Sequence, residues 1–408
     1  MWQKWLFLLL AIALFAELGG SAQAASEQIS SEQTSVQQAA PEQGASVQEK
    51  VVGSQLNRLD TTQIEDFWKN LLQKYNGYLP EVQSKSVFEM LSGNSFSFSN
   101  VTKGLLNFLF HELLINGKLL GSILIITVFA MVLQTLQTAF EKNTVSTVAY
   151  AISYLVLIIL AINSFRIATQ LAENAISEMV QFMLALMPLV LALLASTGNI
   201  TSVAMFHPMI VFLINTSSML IYTIIFPLLF LSAVLSIVST FSVKYQLTKM
   251  AQLLKTVSMG LLGSFFTVFL GVISLEGATS AVTDGLAIRT AKYAVGNFIP
   301  VVGRMFADAA DTVVGASLLV KNTVGVAGVV LLLLIAAFPA LKILTLAFIY
   351  NVASAIMQPL GNSPIISCLS IIGKNLIFVF AALATVSLMF FLAITIIISA
   401  ANVSVMVR

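Results

Sequence analysis

Charged side chains are scarce in this 408-residue chain, and the scarcity excludes most function classes at once. They make up 9% of the residues against 58% hydrophobic, where a soluble domain carries roughly 25% charge. Mean hydropathy is +0.94. A single cysteine, Cys368, excludes a disulfide framework within the chain and any multi-cysteine metal site. The two histidines, His111 and His207, belong to no metal-spaced set. No G-x-S-x-G elbow, Walker loop or dinucleotide fingerprint occurs, so neither an enzyme nor a cofactor is expected. No basic cluster accompanies the net charge of +2, so nothing points to nucleic acid.

What remains is apolar length. Segments of about 20 apolar residues, enough to cross a hydrocarbon core of roughly 30 Å, recur along the chain. The expected fold is an all-α, polytopic helical membrane protein of six to eight spans, with the lipid bilayer as its solvent. Candidate spans are Leu119–Ala139, Thr147–Ile167, Val180–Ala195, Thr256–Leu275, Val324–Tyr350 and Leu376–Ala400, with a longer run, Met209–Val243, interrupted at Pro227.

Ahead of them stand three other segments. Residues 1–24 read as a cleavable signal peptide: Lys4, then an apolar core from Trp5 to Phe15, then the small-x-small site Ala22-Gln23-Ala24. The alternative is an uncleaved anchor. Residues 25–55, rich in Gln, Ser, Glu and Ala, read as a disordered leader. Residues 56–118 read as a short, amphipathic, helical extracytoplasmic segment. Asp60 is offered as an N-cap, and Ile64, Phe67, Trp68, Leu71, Leu72 and Tyr75 share a helical face until Asn76-Gly77 and Pro80 stop it. A second stretch, Val101–Leu114, is carried by Leu105, Leu106, Phe108, Leu109 and Leu113.

The multi-span domain, 119–408, contains only 7 Asp and Glu residues. Two of them, Asp308 and Asp311, lie in a polar island at 297–322. A carboxylate buried in hydrocarbon is costly unless paired, hydrated or protonated. On a helix beginning near Met305, Asp308, Asp311, Thr312, Gly315, Leu319 and Asn322 share one stripe, with Arg304 one turn before Asp308 and Lys321 at the far end. Pro300 and Gly303 favour a chain break ahead of it, as in re-entrant or discontinuous elements. Three readings stay open: an Arg304–Asp308 pair at an interface, a water-lined path for ions or solutes, or an exposed loop. Lys342, near the middle of its apolar run and three residues after Pro339, calls for a water-filled cavity or an acidic partner. Gly263, Thr267 and Gly271, four apart, form a small-residue ridge suited to helix packing. Met183–Phe212 holds a second, carboxylate-free polar stretch between apolar runs, either a diverged, inverted repeat of the island region or a chance likeness of two hydrophobic hairpins.

Orientation rests on Lys244, Lys249 and Lys255, a loop without acids and so expected in the cytoplasm. With the N-terminus outside, an odd number of spans must precede that loop. Five would satisfy this, with Val180–Val243 folding into three.

The island, Asn297–Gly328, resembles the signature region of the stage III sporulation protein AE family, through Phe298, Pro300, Gly303, Asp308, Asp311, Thr312, Gly315, Lys321 and Asn322. Arg304 departs from that pattern, where a small residue is expected. The likeness extends over the mature chain. It implies a membrane subunit of the channel, or secretion-like, complex joining mother cell and forespore, in the mother-cell-derived outer forespore membrane with its N-terminus extracytoplasmic. An export-gate or permease-like role follows, with a non-conducting scaffold or a stand-alone secondary transporter as alternatives. Implied partners are the other complex subunits, including ring-forming proteins and a membrane-associated ATPase.

Overall fold

The computed structural model describes residues 61–79, 98–139, 144–241, 247–298, 302–361 and 363–407. The signal peptide, the leader, Asp60 and Pro300 lie outside these residues. Every regular element among the described residues is helical. They are α1 (Thr62–Lys74), α2 (Phe98–Ile115), α3 (Gly117–Ala139), α4 (Thr144–Ser196), α5 (Ile200–Leu220), α6 (Phe226–Phe241), α7 (Thr248–Phe298), α8 (Val302–Met357) and α9 (Pro364–Val407). Six stretches are long and apolar enough to cross a membrane, the low end of the expected range.

α1 forms as its periodicity requires. Ile64, Trp68, Leu71 and Tyr75 are buried on one side. Gly77, at φ +86°, then takes the left-handed turn that a side chain would disfavour. α2 buries a different face from the one its leucines mark: Val101, Gly104, Phe108 and Glu112 point inward, while Leu106 is 54% exposed. A Cβ at Gly104 would collide with the Tyr78 carbonyl, so glycine allows α2 to lie against the turn that follows α1.

Two expectations about the spans are corrected. Thr147–Ile167 and Val180–Ala195 are the two ends of one 53-residue helix, α4, because the polar residues between them stay helical and find partners. The described part of Met209–Val243, to Phe241, follows a single course. A π-turn at Ile221–Ile225 precedes Pro227 and absorbs the register that proline disrupts, and the buried Ser258 hydroxyl donates to the Ile225 carbonyl at 3.1 Å. Val180–Val243 therefore does not fold into three. Three membrane-length stretches, not five, precede Lys244, Lys249 and Lys255, which is still an odd number, and Lys249 and Lys255 stand within α7 rather than in a loop.

Side-chain contacts fix the helix directions. Tyr350 of α8 donates to Ser164 of α4, and Leu186 of α4 packs on Gly328 of α8, so these helices are antiparallel. Gly325 meets Ile398 and Gly373 meets Asn351, so α8 and α9 are antiparallel too. α7 runs with α9, since Phe269 adjoins Phe390 and Gly277 adjoins Ile396 and Ala400. α7 and α8 are thus a hairpin whose three connecting residues lie outside the described ones. From Val302 onward the island and the span after it are one uninterrupted helix, α8, while Asn297 and Phe298 end α7.

Candidate functional site

Polar groups gather at two heights of the bundle. At the upper one, Lys321 of α8 has no exposed surface. Its Nζ donates to the Ile398 carbonyl at 2.9 Å and to Asn402 Oδ1 at 2.7 Å, both on α9. Among the described residues no carboxylate lies within ion-pair distance of it. Beside it, Asn322 Oδ1 is buried without a hydrogen-bond partner. At the same height Asp284 of α7, 2% exposed, accepts from the Thr201 and Ser202 amides, both at 2.9 Å, and from the Ser202 hydroxyl at 2.6 Å. Those amides open α5 and have no acceptor within their own helix, so a carboxylate from α7 satisfies them and the positive end of the helix dipole together. Ser404 Oγ donates to Asn199 Oδ1 close by, which ties the end of α9 to the α4–α5 turn.

The middle height carries ion pairs. Lys342 Nζ lies 3.1 Å from Glu112 Oε1 and 5.7 Å from the centre of the Phe108 ring. The acidic partner expected for this lysine is therefore Glu112 of α2. Lys74 of α1 pairs with Glu178 of α4 at 2.6 Å. Between the pairs, Tyr75 stacks on Phe338 at 3.8 Å, and Phe108 meets the same ring edge-on at 4.9 Å. Burial, reinforced by the Glu178 and Glu112 carboxylates, raises the Tyr75 phenol above its ordinary value, so it stays neutral. Residues 61–79 and α2 are thus clamped to α4 and α8 beside Pro339. Thr345 Oγ1 and Asn375 Nδ2, facing the α8–α9 seam nearby, are buried and unpartnered.

Of the residues singled out by sequence, Gly303, Arg304, Asp308, Asp311 and Thr312 fall on the first turns of α8, which begins three residues earlier than expected. Their side chains, and so the Arg304–Asp308 pair, lie outside the described residues. Gly315 and Asn322 are half-buried and Leu319 is 48% exposed, so the described part of the stripe follows the edge of the bundle while Lys321 faces inward. Gly263, Thr267 and Gly271 are exposed, and among the described residues nothing approaches either glycine. The glycines that admit close neighbours are Gly104, Gly277, Gly325, Gly328 and Gly373. Sequence reasoning passed over Asp284 and Glu112. Asp284 was legible in principle, being one of the 7 carboxylates of the apolar domain.

Among the described residues no group of three or more His, Cys, Asp and Glu could hold a metal ion. The family model described as stage III sporulation protein AE matches residues 82–401. The stage III sporulation protein AE of Bacillus subtilis (strain 168) is 56% identical over 351 residues, which covers 86% of this chain and 88% of that protein. No solved structure matches.

Proposed function

The chain belongs to the stage III sporulation protein AE family, and from that premise we propose that it is an export-gate-like membrane subunit of the complex joining mother cell and forespore. Its place would be the mother-cell-derived outer forespore membrane. Residues 56–118 would face the intermembrane space and meet ring-forming subunits, and a separate ATPase would supply any driving energy. The observation that carries the gate reading is Lys321. A lysine without exposed surface, held by one carbonyl and one amide and, among the described residues, lacking a carboxylate counter-charge, is costly in an apolar bundle and is a functional candidate by default.

A second reading, a non-conducting scaffold, is favoured by the internal partners of Lys321 and Lys342, which tie both cations into helix seams. Lys321→Met in a sporulating host separates the two. The gate reading expects late forespore gene expression to collapse while membrane level and co-purification of the other subunits persist. Loss of co-purification instead supports the scaffold. Normal spore yield from a stably inserted Lys321→Met protein would overturn the gate reading.

A further inference from the structure

Lys118, Arg166, Lys249 and Lys374 are far apart in sequence, on α3, α4, α7 and α9, and all four are exposed. Helix contacts bring them to one height. Tyr350 of α8 donates to Ser164 of α4 at 2.8 Å, and Arg166 follows two residues later. Asn351 of α8 lies against Gly373 of α9, and Lys374 is the next residue. α2 and α3 run in the direction of α8, with Phe108 beside Phe338 and Glu112 beside Lys342. Lys118, six residues past Glu112, is therefore level with Phe348, six past Lys342. α7 runs with α9, and Lys255 Nζ lies 4.6 Å from the centre of the Phe378 ring. Six residues earlier on each helix, Lys249 is level with Ile372, which adjoins Gly373. The four cations thus stand within about one helical turn, ~5 Å, of the Tyr350–Asn351 level.

Among the described residues no carboxylate shares that height. The nearest on these helices are Glu112 and Glu173, 6 residues from Lys118 and 7 from Arg166, or ~10 Å toward the end where α1 docks. Glu112 already holds Lys342. The sequence shows no basic cluster because each of the four cations comes from a separate helix. Each also has an exposed apolar neighbour within one turn: Ile115, Ile167, Leu253 and Ile377. A long cationic side chain rooted among exposed apolar residues extends its charge to the headgroup level of a bilayer.

Four cations on four helices make a collar rather than a patch. An acidic protein would meet one side of the bundle, whereas a membrane surface meets every outer helix at the same height. We propose that this collar binds the phosphates of anionic phospholipids and marks the level at which the headgroups of one leaflet surround the bundle. The inference stands apart from the gate reading, since neither Lys321 nor transport enters it.

The full chain, reconstituted in phosphatidylcholine vesicles with or without phosphatidylglycerol, provides two tests. In a Cys368→Ala background, Lys118→Cys, Arg166→Cys, Lys249→Cys and Lys374→Cys are labelled singly with bimane. All four should be quenched more by a nitroxide on the lipid headgroup than by one midway along the acyl chain, and in similar ratio. Stronger quenching by the deep nitroxide, no quenching by either, or ratios that differ several-fold among the four would overturn the proposal. Spin-labelled phosphatidylglycerol should be held at the perimeter of the unaltered protein several-fold in preference to spin-labelled phosphatidylcholine. Replacing all four cations by Gln should bring that preference close to one, while Lys69→Gln with Lys103→Gln should leave it unchanged. No preference in the unaltered protein, or a preference that survives the four Gln substitutions, would overturn the lipid assignment. Displacement of phosphatidylglycerol by inorganic phosphate, beyond that by chloride at equal ionic strength, would assign the collar to a soluble anion instead. The depth ratios and the preference of the unaltered protein decide the matter even if the four-Gln variant fails to insert.

Discussion

Lys342 and Glu112 illustrate what a membrane bundle does with an unavoidable charge. The lysine is 35% exposed and the glutamate 12%, so removing one leaves the other poorly hydrated. Lys342→Met should destabilise the protein by about 1–3 kcal/mol, and adding Glu112→Leu should recover most of that loss, because the residual cost is the unpaired charge. Thermal unfolding in detergent of both single variants and the double variant measures the coupling; additive losses would show that the pair is incidental. Asp284 is a sharper case. Its carboxylate accepts three hydrogen bonds, two of them from backbone amides without another acceptor. Asp284→Asn turns an amide donor toward one of those donors. The expected loss is again about 1–3 kcal/mol, read as a lower melting temperature, with amide exchange accelerating first at Thr201 and Ser202.

At the scale of elements, glycine rather than leucine decides where helices touch. Gly104 sits against the Tyr78 carbonyl, a backbone atom that has no rotamer to escape into, whereas Gly271 faces open space. Gly104→Ala should therefore loosen residues 61–115 from the bundle, detected as new protease cleavage between Lys69 and Lys103, while Gly271→Ala should leave the digest unchanged. Equal digests would show that α2 tolerates displacement at that turn. The contrast marks the limit of periodicity. The apolar face of α1 was legible because its buried residues, Ile64, Trp68, Leu71 and Tyr75, are the ones helical spacing selects. The inward face of α2 was not, because it is selected by Glu112, whose reason to point inward is a lysine on α8. Likewise α4 read as two spans because polar residues from Arg166 to Gln181 interrupt its hydropathy. Hydropathy does not register that Glu178 is satisfied by Lys74 or that the Glu173 carbonyl accepts the Tyr222 hydroxyl at 2.9 Å.

For the whole molecule, helix class follows from composition, since 9% charge leaves a chain of this length few other folds, and the apolar domain and polar island follow from where the few charges stand along it. The island's partners did not follow, because they are set by antiparallel pairing: Lys321 meets Asn402 only when α9 returns alongside α8. The same pairing bears on orientation. Three membrane-length stretches separate residues 61–79 from the loop before α7, so the two lie on opposite sides of the bilayer if each crosses once. The positive-inside rule then predicts the cytoplasmic side for the lysines at 244, 249 and 255, the last two of which lie within α7. In right-side-out vesicles of a Cys368→Ala protein, Asn76→Cys should then react with an impermeant maleimide before lysis and Tyr245→Cys only after it. Labelling of both positions before lysis would mean an even number of crossings between them, so that one of the three stretches fails to cross. The suspect would be Ser99–Leu136, which turns at Asn116, where the Glu112 carbonyl and carboxylate both accept from the side-chain amide.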